Sequence, residues 1–421
     1  MFVQIHMLQS MPPGNLNRDE TGQPKKCIFG GVTRARISSQ CLKRSIRRSS
    51  QFKEAFGDAL AVRTTYLPRM VAEELKEDNH GVPEDELNDL MVAIAKNFSK
   101  KDGRSDSRAN DGDQDKSDGR LKAGDKTGKT PQLVYFPQPF ARHIAELIID
   151  LRTGNLRIYD DFIGRKLKPK MTNEENELQK QFINKVSEAS KSLTVDIGMF
   201  GRMTTSNMVV NVEAACQVAH AIGTHETLIE SDYFTAMDDL KDEYASTQMD
   251  RAGAAFLGSG ENETFFCSAV YYKYINLDID ALQYHMREES IDGAAHAAGI
   301  LVSAAALANP TGKQNSFAAH GVPELVLVEV SETKRPISYA NAFLQPVEGR
   351  NFMAESVNAL FGYIDSMVAA YAPVDMRRLL LAVGSASVTL QSEHSLFGSL
   401  DELVKSVVDH ITTMSNVGVS A

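Results

Sequence analysis

The 421-residue chain reads as an α+β fold, a sheet carrying helices on one side and interrupted by long insertions. Three observations predict it. Residues 264–277 alternate Phe265, Cys267, Ala269, Tyr271 and Lys273 against Phe266, Ser268, Val270, Tyr272 and Tyr274, the period of a strand with two unlike faces. Residues 2–8 and 325–330 are short apolar runs of strand character. Helical patterns fall between these runs without the regular rhythm of βαβ units.

In chain order, residues 2–8 place Val3, Ile5 and Met7 on one strand face, and Pro12, Pro13, Gly14, Asn15 and Asn17 break the pattern in a loop. Residues 32–37 alternate basic and apolar side chains as a short strand. The next helix has Ser38 and Ser39 as caps and Leu42, Ser45 and Ile46 as its buried side. Further helical pieces cover 52–57, 71–77 and 84–98, the last amphipathic through Leu87, Leu90, Met91, Ile94 and Ala95. Residues 100–131 consist mainly of Gly, Asp, Lys, Ser, Arg and Asn, with Leu121 the only large apolar side chain, and read as a disordered inserted loop. A short strand from Leu133, a helix over 141–151 and a polar helix over 173–191 follow. Residues 192–197 read as a strand and the alanine-rich 211–224 as a helix. Small residues over 291–308 specify a closely packed helix, and the part beyond 350 is mostly helical, with apolar segments to Ile411.

A composition with 43% hydrophobic residues over this length specifies a large core and two or three structural units. The net charge of −10 excludes a protein that coats nucleic acid through bulk positive charge. Cys27, Cys41, Cys216 and Cys267 stand far apart without a C-x-x-C pair, which argues against a zinc ribbon or disulfide scaffold and for a reducing compartment. Residues 1–8 lack a signal-peptide pattern and no segment is long and apolar enough for a bilayer, so a cytoplasmic protein without membrane contact is expected. His220 and His225 are five apart, not the i, i+4 pair of a zincin, and the acidic 226–250 stretch lacks calcium-loop spacing. Residues 310–316 lack Walker spacing. Neither a metal nor a cofactor is expected.

Against this acidic balance, residues 21–50 hold Lys25, Lys26, Arg34, Arg36, Lys43, Arg44, Arg47 and Arg48 and no Asp or Glu. Gly30 and Gly31 permit positive φ in a turn above the helix. On the helix, Lys43 with Arg47 and Arg44 with Arg48 form two adjacent exposed rows. Serine caps, a glycine turn and basic rows at a helix start make an anion site suited to a polyanion. Farther along, Arg202 and Met203 lie beside Gly201. Met203 reads either as core filling or as an apolar wedge between bases with Arg202 on phosphate.

The order of several short motifs resembles the CasC family, the backbone subunit of type I-E CRISPR Cascade complexes. The motifs are Leu16-Asn17-Arg18-Asp19, Ile28-Phe29-Gly30-Gly31, Arg36-Ile37-Ser38-Ser39-Gln40, Leu42-Lys43-Arg44, Gly201-Arg202-Met203, Ala219-His220-Ala221-Ile222, Tyr233 to Leu240, Gly312-Lys313-Gln314 and Ala340-Asn341-Ala342-Phe343. The resemblance implies an RRM-like (ferredoxin-like) palm over 1–50, 192–222 and 264–345, and helical fingers over 51–191 that contain the 100–131 loop. It further implies a thumb hairpin over 226–260 and a C-terminal helical part over 346–421 packed on the palm. Several copies would stack along one guide crRNA, with capping, small and large Cascade subunits as further partners and target DNA engaged through the guide. The implied RNA-binding residues are Arg18, Lys25, Arg34, Arg36, Ser38, Gln40, Lys43, Arg44, Arg47, Arg202, Met203 and Lys313. The 100–131 insertion departs from the pattern. The RRM aromatic signature is also not legible, so contact with the strand's backbone rather than stacking is implied.

The resemblance implies a noncatalytic scaffold. The alternative is a metal-dependent ribonuclease cutting guide-complementary RNA, for which Asp19 and Glu20 are the nearby acids, since no carboxylate follows until Glu54. A protein-binding scaffold with an acidic partner is the third class.

Overall fold

The computed structural model describes residues 1–77, 81–98, 128–165, 171–204, 206, 208–233, 263–371, 376–390 and 396–418. The inserted loop over 100–131, apart from 128–131, and the acidic stretch beyond Tyr233 lie outside the described residues. The chain divides into two compact units. One comprises Met1–Ala55, Gln217–Asp280 and Glu289–Ala421, the other Phe56–Cys216 and Ala281–Glu288.

The strands are β1 (Phe2–Gly14), β2 (Lys26–Phe29), β3 (Val32–Ile37), β4 (Ala61–Thr64), β5 (Val134–Pro137), β6 (Cys216–Val218), β7 (Ala221–Gly223), β8 (Glu230–Tyr233), β9 (Glu263–Asp278), β10 (Leu325–Ser331) and β11 (Met376–Ala382). In the first unit they order as β11-β10-β1-β9-β7-β3-β2, with antiparallel pairing along this path, and β6 and β8 also join β9. β1 is the axis, its residues Phe2 to Leu8 bonded to β9 on one side and β10 on the other.

Helices cover both faces of this sheet, which corrects the one-sided arrangement expected from sequence. The reason is visible in β10, where every residue is buried and neither face is left for water. On the face carrying Leu8, the helix Phe352–Tyr371 closes a core with Tyr272, Tyr274, Leu327, Tyr339, Phe343, Leu360 and Ile364. This core encloses a polar network. The Glu329 carboxylate meets His6 Nε2 at 3.3 Å, accepts from Arg378 Nε at 2.8 Å and accepts the Tyr339 hydroxyl at 3.0 Å. Burial pushes the Glu329 carboxyl upward, but His6 and Arg378 outweigh it and hold the group below its ordinary pKa.

The helix Asp292–Leu307 packs against β1, and buried Lys273 aims its Nζ at the Ala305 carbonyl oxygen, 3.5 Å away. That helix also receives α1 (Ser39–Arg47) and the helix Leu400–Gly418. Its alanines and Gly299 permit the close approach, since a Cβ on Gly299 would lie 2.8 Å from Val408 Cγ2. The second unit packs five helices, including Leu67–Glu77, Glu84–Asn97 and Phe140–Gly154, around Leu75, Leu90, Phe136, Phe140, Ile148 and Tyr159, beside the β4–β5 pair. No helix among the described residues is long and apolar enough to cross a membrane.

Two segments depart from their expected state. Residues expected as a strand over 192–197 enter the helix Val195–Phe200, where buried Asp196 accepts from the Ala61 amide at 3.1 Å and from the Tyr135 hydroxyl. The alanine-rich 211–224 supplies β6 and β7 instead of a helix. Backbone pairing of β7 between β3 and β9, in a space where a Cβ on Gly223 would meet the Ala35 nitrogen at 3.3 Å, overrides alanine's helical preference. β2, β4, β8 and β11 are strands that the pattern reading missed.

Gly30 and Gly31 close the β2–β3 hairpin at φ +62° and +82°, the paired positive values of a two-residue turn. A Cβ on Gly30 would fall 1.6 Å from the Leu344 carbonyl oxygen, whereas one on Gly31 would meet nothing within 4 Å. Gly31→Ala is therefore expected to cost only backbone strain, about 1–2 kcal/mol. Gly30→Ala must also displace main chain and is expected to cost more than about 3 kcal/mol, as read by urea denaturation. Lys273 supplies a second test. Burial lowers its pKa to about 8, so between that value and the unfolded value of about 10.4 the unfolded chain binds the additional proton. Stability contributed through this residue rises with pH across that window. Lys273→Met is expected to remove the rise and to stabilise the protein at neutral pH by on the order of 2–3 kcal/mol. Identical pH profiles for the two proteins would contradict this account.

Candidate nucleic-acid interface

The basic helix begins where the sequence places it. Ser38 is the N-cap, its hydroxyl accepting from the Cys41 amide at 3.4 Å, while its own amide donates to Asn17 Oδ1 at 2.8 Å. Leu42 and Ile46 bury one stripe. Lys43 and Arg47 are half-buried, and Gln40, Arg44 and Arg48 are exposed. With no acidic residue in its first turn, the helix presents positive charge along its length.

Hydrogen bonds gather other candidates around its start. The Lys25 amide donates to the Asn17 carbonyl at 2.8 Å, and Asn15 Nδ2 donates to the Gly22 and Phe265 carbonyls. Arg36 donates Nε to the Lys26 carbonyl at 3.3 Å and Nη1 to His220 Nδ1 at 3.2 Å. Burial and the adjacent Arg36 and Lys25 charges hold the His220 imidazole below its ordinary pKa. Gly312 abuts the Asn15–Leu16 main chain, since a Cβ there would lie 2.4 Å from the Leu16 carbonyl oxygen. Lys313 follows in the left-handed region at φ +47° and donates Nζ to Thr264 Oγ1 at 3.3 Å. Arg18 is exposed in the same loop. Lys25, Arg36, Ser38, Gln40, Arg18 and Lys313 thus belong to segments tied to one another at the start of α1.

Two candidate residues require correction. Arg34 is fully buried, and its guanidinium donates to three main-chain carbonyls, Phe29 at 3.2 Å, Gly223 at 3.0 Å and Phe343 at 2.8 Å. It is a structural tie, with no surface to offer a phosphate. Arg202, in the second unit, is 4% exposed and donates to Val210, Tyr135 and Ser190 carbonyls at 2.9, 3.2 and 2.7 Å. Burial lowers its pKa to about 10. Its neighbour Met203 is 93% exposed, so the chain separates the pair: the cation fills the interior and the thioether projects.

Asp19, the nearest candidate acid, has its Oδ1 occupied by the Thr21 amide and hydroxyl and the Gln23 amide at 2.8–3.0 Å. The Thr21 hydroxyl is the leading cause that keeps this carboxyl below its usual range. Among the described residues, no group of three or more His, Cys, Asp or Glu side chains could hold a metal ion. Sequence reading missed Asn17 and His220 as organisers, because their partners Ser38 and Arg36 are remote in the chain; the Asn17 position inside a quoted motif was the available signal.

Comparisons with known proteins bear on the chain as a whole. No curated protein matches the chain at a significant level. A solved structure described as "CRISPR RNA-guided surveillance complex, pre-nicking" has a chain 27% identical to this one, with a TM-score of 0.71, covering 98% of this chain and 100% of the other. A chain of another, described as "CRISPR RNA-guided surveillance complex", is 21% identical with a TM-score of 0.62, covering 97% and 100%, and speaks to the fold alone. The family profile described as CT1975-like protein matches residues 3–406. By that match, which spans nearly its whole length, the chain belongs to the CT1975-like protein family.

Proposed function

We propose that this protein is a guide-RNA-binding backbone subunit of a CRISPR surveillance complex, of the type I-E Cascade class, in which several copies hold one crRNA along its spacer. The observation that carries the reading is the end-to-end likeness to a chain of an RNA-guided surveillance complex, 98% of this chain against 100% of that one. The basic helix gives the likeness a chemistry. Lys43, Arg44 and Arg47, with Gln40 and the Arg18, Lys25, Arg36 and Lys313 loops, grip the phosphates of a single strand. Met203 stands ready to insert between bases.

The strand order β10-β1-β9-β7, with α1 and the helix Asp292–Leu307 in the connections, supports the RRM-like palm. Its aromatic face lies beneath the helix Phe352–Tyr371, which favours backbone gripping over base stacking. Such contacts position a strand without reading it, so guide pairing supplies specificity for double-stranded DNA. In this reading the subunit is noncatalytic and cytoplasmic, the helical fingers lie over 51–191 and the thumb lies over 226–260. Neighbouring copies and the capping, small and large subunits are its protein partners. The engagement of Asp19 with Thr21 and Gln23 favours a scaffold over the ribonuclease alternative.

Lys43→Ala combined with Arg47→Ala is expected to lower guide retention and to reduce the salt slope of RNA binding by about 1.4, the value for two phosphate contacts on a single strand. Unchanged retention and slope, measured by filter binding across a salt series, would show that the grip lies elsewhere. The Arg202 and Met203 assignments separate by a second pair of variants. Arg202→Met is expected to cost on the order of 3 kcal/mol of stability by stranding three carbonyls. Met203→Ala should leave stability within about 0.5 kcal/mol while weakening RNA binding.

A further inference from the structure

α1 carries its positive charge on two adjacent rows, and the proposed guide grip leaves Arg48 outside. Successive residues turn by about 100° around a helix, so the row of Arg44 and Arg48 lies beside that of Lys43 and Arg47, with Arg48 the farther from Lys43. Arg44 and Arg48 open onto a surface cleft of about 530 Å³ that Lys43 and Arg47 do not line. The other walls come from Ser49, from Ser50, Gln51 and Lys53 of the helix Ser50–Phe56, and from Leu307, Asn309 and Thr311 at the end of the helix Asp292–Leu307. All of these residues belong to the first unit.

The lining chemistry is selective. Arg44, Arg48 and Lys53 supply three cations, and no carboxylate lines the cleft. Ser49, Ser50, Gln51, Asn309 and Thr311 add hydroxyl and amide groups able to donate to phosphate or sugar oxygens. No aromatic side chain lines it, so there is no platform on which a base could stack. The volume exceeds that of a single phosphate. Arginine forks favour phosphate over carboxylate only modestly, but the surrounding neutral donors match the alternating phosphate and sugar of a backbone better than an acidic peptide.

We propose that this cleft is a second, sequence-independent phosphodiester site, which holds the backbone of a nucleic-acid strand other than the one gripped by Lys43 and Arg47. Naming that first strand as the guide rests on the reading above; the cleft itself does not. Its two unshared cations, Arg48 and Lys53, stand outside the proposed guide grip and therefore make the cleaner probe.

The test compares the full chain, purified with its guide RNA, with the Arg48→Ala, Lys53→Ala double variant. Binding of labelled mixed-sequence DNA, single-stranded and duplex in separate arms, is titrated across salt concentrations, and co-purified RNA is quantified in parallel. The variant is expected to lose about tenfold in DNA affinity, with a slope reduced by about 1.4 for the single strand or 1.8 for the duplex. Its RNA content should equal that of the parent, and the larger loss among the two arms identifies the form of DNA held. DNA affinity and slope unchanged from the parent would overturn the inference. So would loss of RNA in step with the Lys43→Ala, Arg47→Ala variant, because the cleft would then belong to the first strand's track. Retention of an acidic neighbouring copy through Arg48 and Lys53, without an effect on DNA, would assign the cleft to protein and overturn it as well. If the parent chain carries no guide, the earlier reading fails, yet the DNA slope of the double variant still decides the cleft.

Discussion

The Arg34 guanidinium sits in a cage of main-chain carbonyls, and the exposed cations depend on it. Phe29 lies before the glycine turn, Gly223 ends β7, and Phe343 belongs to the turn whose Leu344 carbonyl touches Gly30. One side chain therefore ties the hairpin to a neighbouring strand and to a loop more than three hundred residues away. β3 runs directly into the Ser38 cap, so the direction in which α1 leaves the sheet is set by the same tie. Removing a buried cation leaves three carbonyls without a partner, a cost that exceeds the loss of any surface ion pair.

A second constraint is the closure of both sheet faces. An antiparallel sheet of this kind can offer one face to a ligand, but here the residues Tyr272, Tyr274 and Tyr339 are occupied by His6, Glu329 and the covering helix. In the proposed reading, recognition is displaced to the end of the sheet, where loops and the start of α1 meet. Main-chain turns and cations predominate there. A protein that must accept any guide sequence is suited by such a surface, because phosphates repeat regardless of the bases.

The long strand β9 was legible because alternation is a local property, and it persists over 264–277. The Ser38 cap and the buried pair Leu42 and Ile46 were legible for the same reason. The roles of Arg34 and Arg202 were not. Both sit in glycine-containing segments that look solvent-facing, and the carbonyls that enclose them come in part from residues far away in the chain. Alternation places Arg34 and Arg36 on one strand face, yet only Arg34 meets the Gly223 and Phe343 carbonyls. The alanine-rich segment at 211–224 misled for a related reason. Its strand state comes from partners on either side, and helical propensity is blind to them.

The central position of β1 also shapes how the chain reaches its native state. His6 meets Tyr272 across 266 positions of sequence, and its other neighbour, Leu327 in β10, is more distant still. During synthesis the first strand, most of it buried in the finished fold, emerges long before either of its hydrogen-bonding partners exists. Contacts this remote make folding slow and leave an unpaired edge exposed meanwhile. The hairpin, Arg34 and the basic helix acquire their final setting only after Phe343 has left the ribosome. Chaperone demand is thus built into the topology, because β1 pairs with β9 and β10, which lie far downstream in sequence.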